Sequence, residues 1–207
     1  AIIRDHFAAK GLGLHNDLQN EHSIVGNCLS VQLMLIYGSE AQKKEWVPGM
    51  LTGERGFAVG ITESAHGSDA THMESVAARD GDHWVINGEK CWTSGIHQEK
   101  HVLILARTSG QAGDGDGITP FLMPLDTPGI KVEQMLWTFN MPTDHGRLSL
   151  DNVRVPNDAI FGREGRGLQV VQHFFNENRI RQAASSLGAA QYCINESVQY
   201  ALKRAPF

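Results

Sequence analysis

The chain has 207 residues, a formal net charge of −5, 41% hydrophobic and 20% charged residues, a balance suited to one sizeable core or two small ones. Net negative charge without any Lys/Arg cluster excludes an electrostatic nucleic-acid groove. The longest apolar stretch, Ile24–Tyr37, is broken by Asn27, Ser30 and Gln32, too short and too polar to span a bilayer.

Cys28, Cys91 and Cys193 are odd in number, far apart and form no Cys-x-x-Cys pair. That argues against a disulfide framework or a cysteine zinc site and for a reducing compartment. The chain opens Ala1-Ile2-Ile3-Arg4-Asp5 without Met or a basic leader, and its last helical pattern runs nearly to Phe207. Both termini are therefore expected to be cuts in a longer protein.

Ala1–Asn20, with Gly11 and Gly13, gives no clear period and is assigned to a helix end and loop. From Glu21 to Tyr37 apolar residues recur at Ile24, Val25, Leu29, Leu33 and Ile36, the spacing of a buried helical face. Gly38 stops that helix and Ser39 caps a second over Ala41–Leu51, which presents Trp46, Val47 and Met50 and carries Pro48 as a potential kink. Thr52–Gly56 then marks a boundary where strand signals begin.

The central stretch runs from Gly56 to Gly95. It starts as a strand at Phe57, Val59 and Ile61 and breaks into a small-residue loop at Thr62–Asp69. It returns through two hairpin signals, Asp80-Gly81 and Asn87-Gly88, to a strand ending Lys90-Cys91-Trp92-Thr93-Ser94-Gly95. Neighbouring strand ends would bring the Thr62–Ser68 loop near Trp92 and Ser94: an aromatic wall beside hydroxyls and backbone donors, suited to a planar, polar ring. Taken singly these residues have plainer explanations. Thr62 and Ser68 read as loop hydroxyls bonding their own backbone, Trp92 as a core residue, Ser94 as a strand end, and Arg204 as a solvated helix-end cation.

Further strands are expected at Val102–Ala106, Ile118–Met123, Ile130–Val132 and Arg147–Val155. Short strands with regular turns predict an antiparallel sandwich or open barrel, and with the flanking helices an α+β chain. Asp114 and Asp116 in QAGDGDG hint at calcium, but further ligands and a closing Glu are missing, so the segment is assigned to a flexible loop. His66, Asp69 and His72 have a spacing that suggests a metal, which a strand there would keep from converging; no metal site is expected. Leu168–Lys203 is helical, with Leu187, Ala190, Ile194, Val198 and Ala201 on one face, a bundle member or a subunit contact.

Together these segments resemble the acyl-CoA dehydrogenase family of flavoenzymes. The resemblance is carried by Tyr37–Lys44 with Pro48 and Gly53-Glu54; Gly60-Ile61-Thr62-Glu63 with Gly67-Ser68-Asp69; Asn87-Gly88 with Lys90 and Trp92; Asp126–Gly129; Asp151–Pro156; Gly165 and Gly167; Arg179; and Tyr200–Leu202 with Arg204 and Phe207. It implies the tail of a helical domain over residues 1–53, a middle β domain over 54–161 and the first helix of a C-terminal bundle over 162–207.

The resemblance implies FAD, with Thr62 at the polar edge of the ring, Trp92 against it and Ser94 near the hydride-accepting nitrogen. Ser68 would lie where the pyrophosphate and the substrate's pantetheine arm are held, and Arg179 is assigned to the substrate. Arg204 and Phe207 would reach the FAD of a partner subunit in a homodimer or homotetramer. The implied reaction is α,β-dehydrogenation of an acyl-CoA thioester, with electron-transfer flavoprotein as a potential electron acceptor, in a cytoplasmic, mitochondrial-matrix or peroxisomal setting. The carboxylate base is expected beyond Phe207. A minority of the family carries it at the position matching Asn178, an amide that takes no proton at neutral pH, and Glu177 would point about 100° away on a helix.

His66 and His72 stand where the family has small residues, and Ser64-Ala65 where Pro is common. These departures keep open a related flavin oxidase or monooxygenase on the same fold; a chain without its base would instead be a non-catalytic β-sandwich binding module.

Overall fold

The computed structural model describes residues 1–12, 29–137 and 145–207, with the side chain of Leu29 left aside. Two compact units emerge, one of residues 28–173 and one of residues 1–27 with 174–207. The first part of the helix expected from Glu21 lies outside the described residues; its end is α2 (Leu29–Tyr37), following α1 (Ile2–Ala8).

Ser39 starts α3 (Glu40–Thr52) through a reciprocal cap. Its Oγ accepts the Gln42 amide at 3.2 Å, while the Gln42 Oε1 accepts the Ser39 amide at 2.9 Å. Gln42 Nε2 also donates to the carbonyls of Asp158 and Ile160, both at 3.2 Å. Trp46, buried on the inner face of α3, packs edge-on against Phe57 and His101.

Seven strands follow: β1 (Ala58–Gly60), β2 (Val76–Asp80), β3 (His83–Ser94), β4 (His101–Arg107), β5 (Ile118–Pro124), β6 (Ile130–Leu136) and β7 (His145–Pro156). They form one sheet in the order β1-β4-β2-β3-β7-β6, with β5 on β4. Trp84 of β3 and Phe121 of β5 belong to strands that do not pair, yet their rings lie 5.6 Å apart, so the sheet curls over its own core as an open barrel. Ile86, Val102, Ile104, Leu148, Val153 and Val155 fill that interior.

The expected antiparallel arrangement needs one correction. β1 and β2 both run parallel to β4, Ala58–Gly60 beside Val102–Ile104 and Val76 beside Arg107. The crossovers between them are long enough for parallel pairing, which a tight hairpin would forbid.

A second correction concerns the hairpin signals. Gly81 and Asp82 do turn β2 into β3, with Asp80 facing His83. Asn87-Gly88 does not turn; it lies within β3, as a register shift against β7. Gly88 has φ +144, and a Cβ there would sit 2.3 Å from Ser75 Oγ and 2.7 Å from Ser75 Cα. The glycine marks a close approach of two backbones rather than a chain reversal. The Asn87 Oδ1 accepts the Asn152 amide at 2.8 Å and ties the bulge to β7.

The QAGDGDG segment, expected to be flexible, is tied down by Arg107. Its guanidinium, on a side chain 8% exposed, donates to the carbonyls of Ser109, Asp114, Asp116 and Thr71. Carbonyls that would face a calcium ion thus converge on a guanidinium already in place, and Asp116 pairs with Arg166 at 2.6 Å.

The long helix α4 (Gly167–Lys203) contributes its first residues to the barrel unit, where the Gln169 carbonyl accepts from the Tyr37 hydroxyl at 3.2 Å. In the other unit, α1 packs against the later part of α4 with Arg4 buried 3.5 Å from Ser185 Oγ. Leu187, Ile194 and Val198 of the expected apolar face are exposed among the described residues.

Candidate cofactor site

The site begins beneath the loop that leaves β1. Lys90 and Glu63 form an ion pair at 2.7 Å, their side chains 0% and 3% exposed. The Lys90 ammonium also donates to the Ile61 carbonyl at 3.2 Å, and the Glu63 carboxylate accepts the amides of Glu74 (2.5 Å) and Ser75 (3.0 Å).

Burial pushes the Glu63 carboxyl up, but the Lys90 charge and hydrogen bond, with those from Ser75 and Glu74, outweigh it and hold the group below its ordinary value. Burial pulls the Lys90 ammonium down against the opposing pull of Glu63. Removing either side chain would strand the other's charge.

The consequence is a fixed backbone around Thr62. Ile61 and Glu63 are pinned on either side, and the Thr62 carbonyl accepts the Cys91 amide at 2.7 Å. The half-buried Thr62 hydroxyl has no partner among the described residues.

That hydrogen bond sets Thr62 beside the bulge that ends β3. The pairing with β7 shifts register between Lys90 and Thr93, and Trp92 within the bulge has φ +61. A left-handed conformation costs an L-residue about 1–2 kcal/mol, and a bulge re-aims a side chain. Here Cys91 and Thr93 are buried while the Trp92 ring is turned out, 47% exposed. Two residues on, Ser94 Oγ lies 2.8 Å from His145 Nδ1, and the His145 ring meets Trp92 edge-on at 6.0 Å.

Thr62, Trp92 and Ser94 are therefore gathered at one end of β3. Ser68 lies exposed farther along the loop, and no hydrogen bond among the described residues joins it to those three. Below it, Asp69 accepts from the Thr71 hydroxyl and amide, which hold its carboxyl below the ordinary range with a smaller contribution from His72. His72 Nδ1 is 2.8 Å from Asp69, His66 Nε2 is 3.1 Å from Glu74, and the two imidazoles stack 6.0 Å apart. Each ring serves its own carboxylate, and among the described residues no three His, Cys, Asp or Glu side chains are grouped to hold a metal ion.

Arg179, Arg204 and Phe207 belong to the other unit. The Arg179 guanidinium lies 5.6 Å from the Phe175 ring centre and donates to Asn176 Oδ1 at 3.3 Å. The Asn178 amide oxygen accepts from Arg181 Nε at 3.1 Å. Arg204 and Phe207 are exposed beyond the end of α4.

Sequence reasoning missed His145 and the partnership of Glu63 with Lys90. Lys90 stands in phase with the inward-facing Trp84 and Ile86, so alternation alone marks it as a buried cation in need of a partner. Nothing local marks His145, which meets Ser94 only through the pairing of β3 with β7.

Residues 58–153 match the sequence profile of the acyl-CoA dehydrogenase middle domain, and residues 165–207 that of the acyl-CoA dehydrogenase C-terminal domain. A glutaryl-CoA dehydrogenase of Desulfococcus multivorans is 38% identical over 84% of this chain and 45% of its own length. The human mitochondrial short-chain specific acyl-CoA dehydrogenase is 32% identical over 88% and 44%. Among solved structures, a glutaryl-coenzyme A dehydrogenase in complex with glutaryl-CoA superposes with a TM-score of 0.78 at 33% identity, covering 100% of this chain and 51% of that one. An acyl-CoA dehydrogenase from Geobacillus kaustophilus superposes at 0.77 with 28% identity, covering 100% and 53%. The chain spans about half the length of the curated relatives it matches. With both profiles matched in order and the barrel shared with these structures, the chain belongs to the acyl-CoA dehydrogenase family.

Proposed function

We propose that the protein is a flavin oxidoreductase that binds FAD at the end of β3 and dehydrogenates an acyl-CoA thioester between its α and β carbons. The observation that carries this reading is Trp92: an indole held outward at φ +61, at the same end of β3 as the hydroxyls of Ser94 and of Thr62, the latter without a partner among the described residues. A flat aromatic face next to two small alcohols fits a planar ring with a polar edge, and strain of this kind gathers at binding sites.

In this reading Trp92 packs against the ring, Thr62 meets its polar edge and Ser94 stands at the reacting edge. Ser68 holds pyrophosphate and the pantetheine arm, and Arg179 contributes to substrate binding. Arg204 and Phe207 reach the FAD of a second subunit in a homodimer or homotetramer. Bound FAD supplies the acceptor for the β-hydride. The α-proton requires a carboxylate, and Asn178, whose oxygen is taken up by Arg181, cannot serve as one; the base is assigned to a carboxylate beyond Phe207. Residues 1–53, 54–161 and 162–207 would contribute to a helical domain, the middle β domain and a C-terminal bundle. Electron-transfer flavoprotein would reoxidise the cofactor in a reducing compartment, and among the described residues no helix is long and apolar enough to cross a membrane.

The test is the visible spectrum of the purified full-length protein. One oxidised flavin per chain, bleached by an acyl-CoA under anaerobic conditions, supports the reading. A protein that stays colourless after FAD is added would return it to a non-catalytic binding module. Bound flavin that ignores acyl-CoA esters but reacts with oxygen and another substrate would favour an oxidase or monooxygenase.

A further inference from the structure

Ser94 and His145 are cross-strand partners, at the last residue of β3 and the first of β7. Sheet register, not a flexible reach, therefore sets the 2.8 Å approach of Ser94 Oγ to His145 Nδ1. Both side chains are half-buried, and the edge-on contact of the imidazole with Trp92, at 6.0 Å, further fixes the ring. A serine hydroxyl has one hydrogen and two lone pairs, and an imidazole nitrogen either donates or accepts. The state of Nδ1 thus decides what Ser94 can offer a third group. A bare Nδ1 takes the serine hydrogen, leaving only lone pairs for a ligand. An Nδ1–H donates to Oγ and leaves the serine hydrogen free.

We propose that His145 is a positioning residue that donates from Nδ1–H to Ser94 and thereby aims the Ser94 hydroxyl hydrogen at the edge of the flavin. This rests on the placement of FAD proposed above. The reacting edge of an oxidised flavin ring, unlike the stretch of rim that carries an N–H, presents only lone pairs on nitrogen and oxygen, so a hydroxyl there is useful only as a donor. His145 supplies that polarity without touching the ring.

The test is a double-mutant cycle in the full-length holoenzyme, combining His145→Ala with Ser94→Ala. The readouts are FAD dissociation constant, flavin spectrum and two-electron midpoint potential. His145→Ala should change the ratio of oxidised to reduced FAD affinity by roughly threefold to tenfold, the worth of one hydrogen bond; tenfold corresponds to about 30 mV for a two-electron couple. His145→Asn, whose amide offers an N–H donor, should restore most of the shift, and a thermal melt checks that both variants fold. In the Ser94→Ala background, His145→Ala should change nothing further. The same shift in both backgrounds, or none in either, overturns the proposal. If Thr62→Ala, Trp92→Ala and Ser94→Ala all leave FAD binding and spectrum unchanged, the flavin placement itself falls, and the role of His145 with it. If they weaken binding while His145→Ala is silent, the positioning role alone is lost.

Discussion

Lys90→Met tests whether the buried ion pair holds up the loop that presents Thr62. Methionine replaces much of the lysine stem, so the change removes a charge and three donors more than it removes volume. It leaves the Glu63 carboxylate at 3% exposure with two amide donors and no cation, and strips the Ile61 carbonyl of its 3.2 Å donor. Removing one partner of a buried pair costs about 3–5 kcal/mol, most of it the stranded charge; the lost bond to Ile61 accounts for about 1 kcal/mol of that. With a urea slope of about 2 kcal/mol per molar, the unfolding midpoint read by tryptophan fluorescence should fall by about 1.5–2.5 M. Lys90→Met/Glu63→Gln, which removes the stranded charge, should recover at least half of the loss.

The pH dependence has a fixed sign. Glu63 is held below its ordinary value of 4.5 in the folded chain, so its contribution is fully present above that value and is lost as pH falls through the folded one. The gap between the native protein and Lys90→Met should be widest at neutral pH and close on acidification. A single variant that loses less than about 1 kcal/mol, or a double variant less stable than the single, would refute the account.

Three further outcomes follow from the same contacts. Trp92→Gly should unfold about 1 kcal/mol later than Trp92→Ala, the reverse of their usual order in a strand, because only glycine relieves the positive φ; chemical denaturation of both variants checks it, and both should lose flavin. Gly88→Ala should cost about 1–3 kcal/mol, since its Cβ would meet the Ser75 backbone at 2.7 Å, seen as a lower urea midpoint. Arg107→Lys keeps the charge but not the planar fork that reaches four carbonyls. Amide exchange across residues 109–117 should quicken, while exchange in β3 and β7 stays slow.

Legibility followed the range of the interaction. Ser39 and Gln42 are three residues apart, and Asp80-Gly81 joins strands that touch at once, so local chemistry was enough to read the cap and the first hairpin. Asn87-Gly88 has the same local chemistry as a turn, but Ser75 and Asn152 decide its role, and neither is near it in sequence. Arg107 directly follows the strand expected at Val102–Ala106, and nothing local marks its role. Only the fold turns the carbonyls of its own downstream loop, and of Thr71, onto its guanidinium. Ser94 and His145 stand 51 residues apart, and a one-residue change of register would part them, because register is set by a whole strand face rather than by either residue.

Trp92 shows most sharply why the site itself resists a reading by pattern. Counting by twos from Trp84 through Ile86, Gly88 and Lys90 puts Trp92 inside, and a large aromatic in that phase is by default core. The bulge between Lys90 and Thr93 overturns the count: Lys90 stays in, Thr93 is buried, and the indole between them is turned out at a backbone cost. A sheet selected only for stability would have kept the alternation, with an apolar residue at position 90 and no strained tryptophan. A buried lysine and a left-handed indole two residues apart are instead joined, through the Thr62–Cys91 hydrogen bond, to a threonine whose hydroxyl has no partner among the described residues, where local rules and the fold disagree together. Such agreement among violations is what a binding site imposes on a scaffold. It is also why Trp92→Gly, which relieves the strain, should outlast Trp92→Ala in urea while both lose the proposed flavin contact.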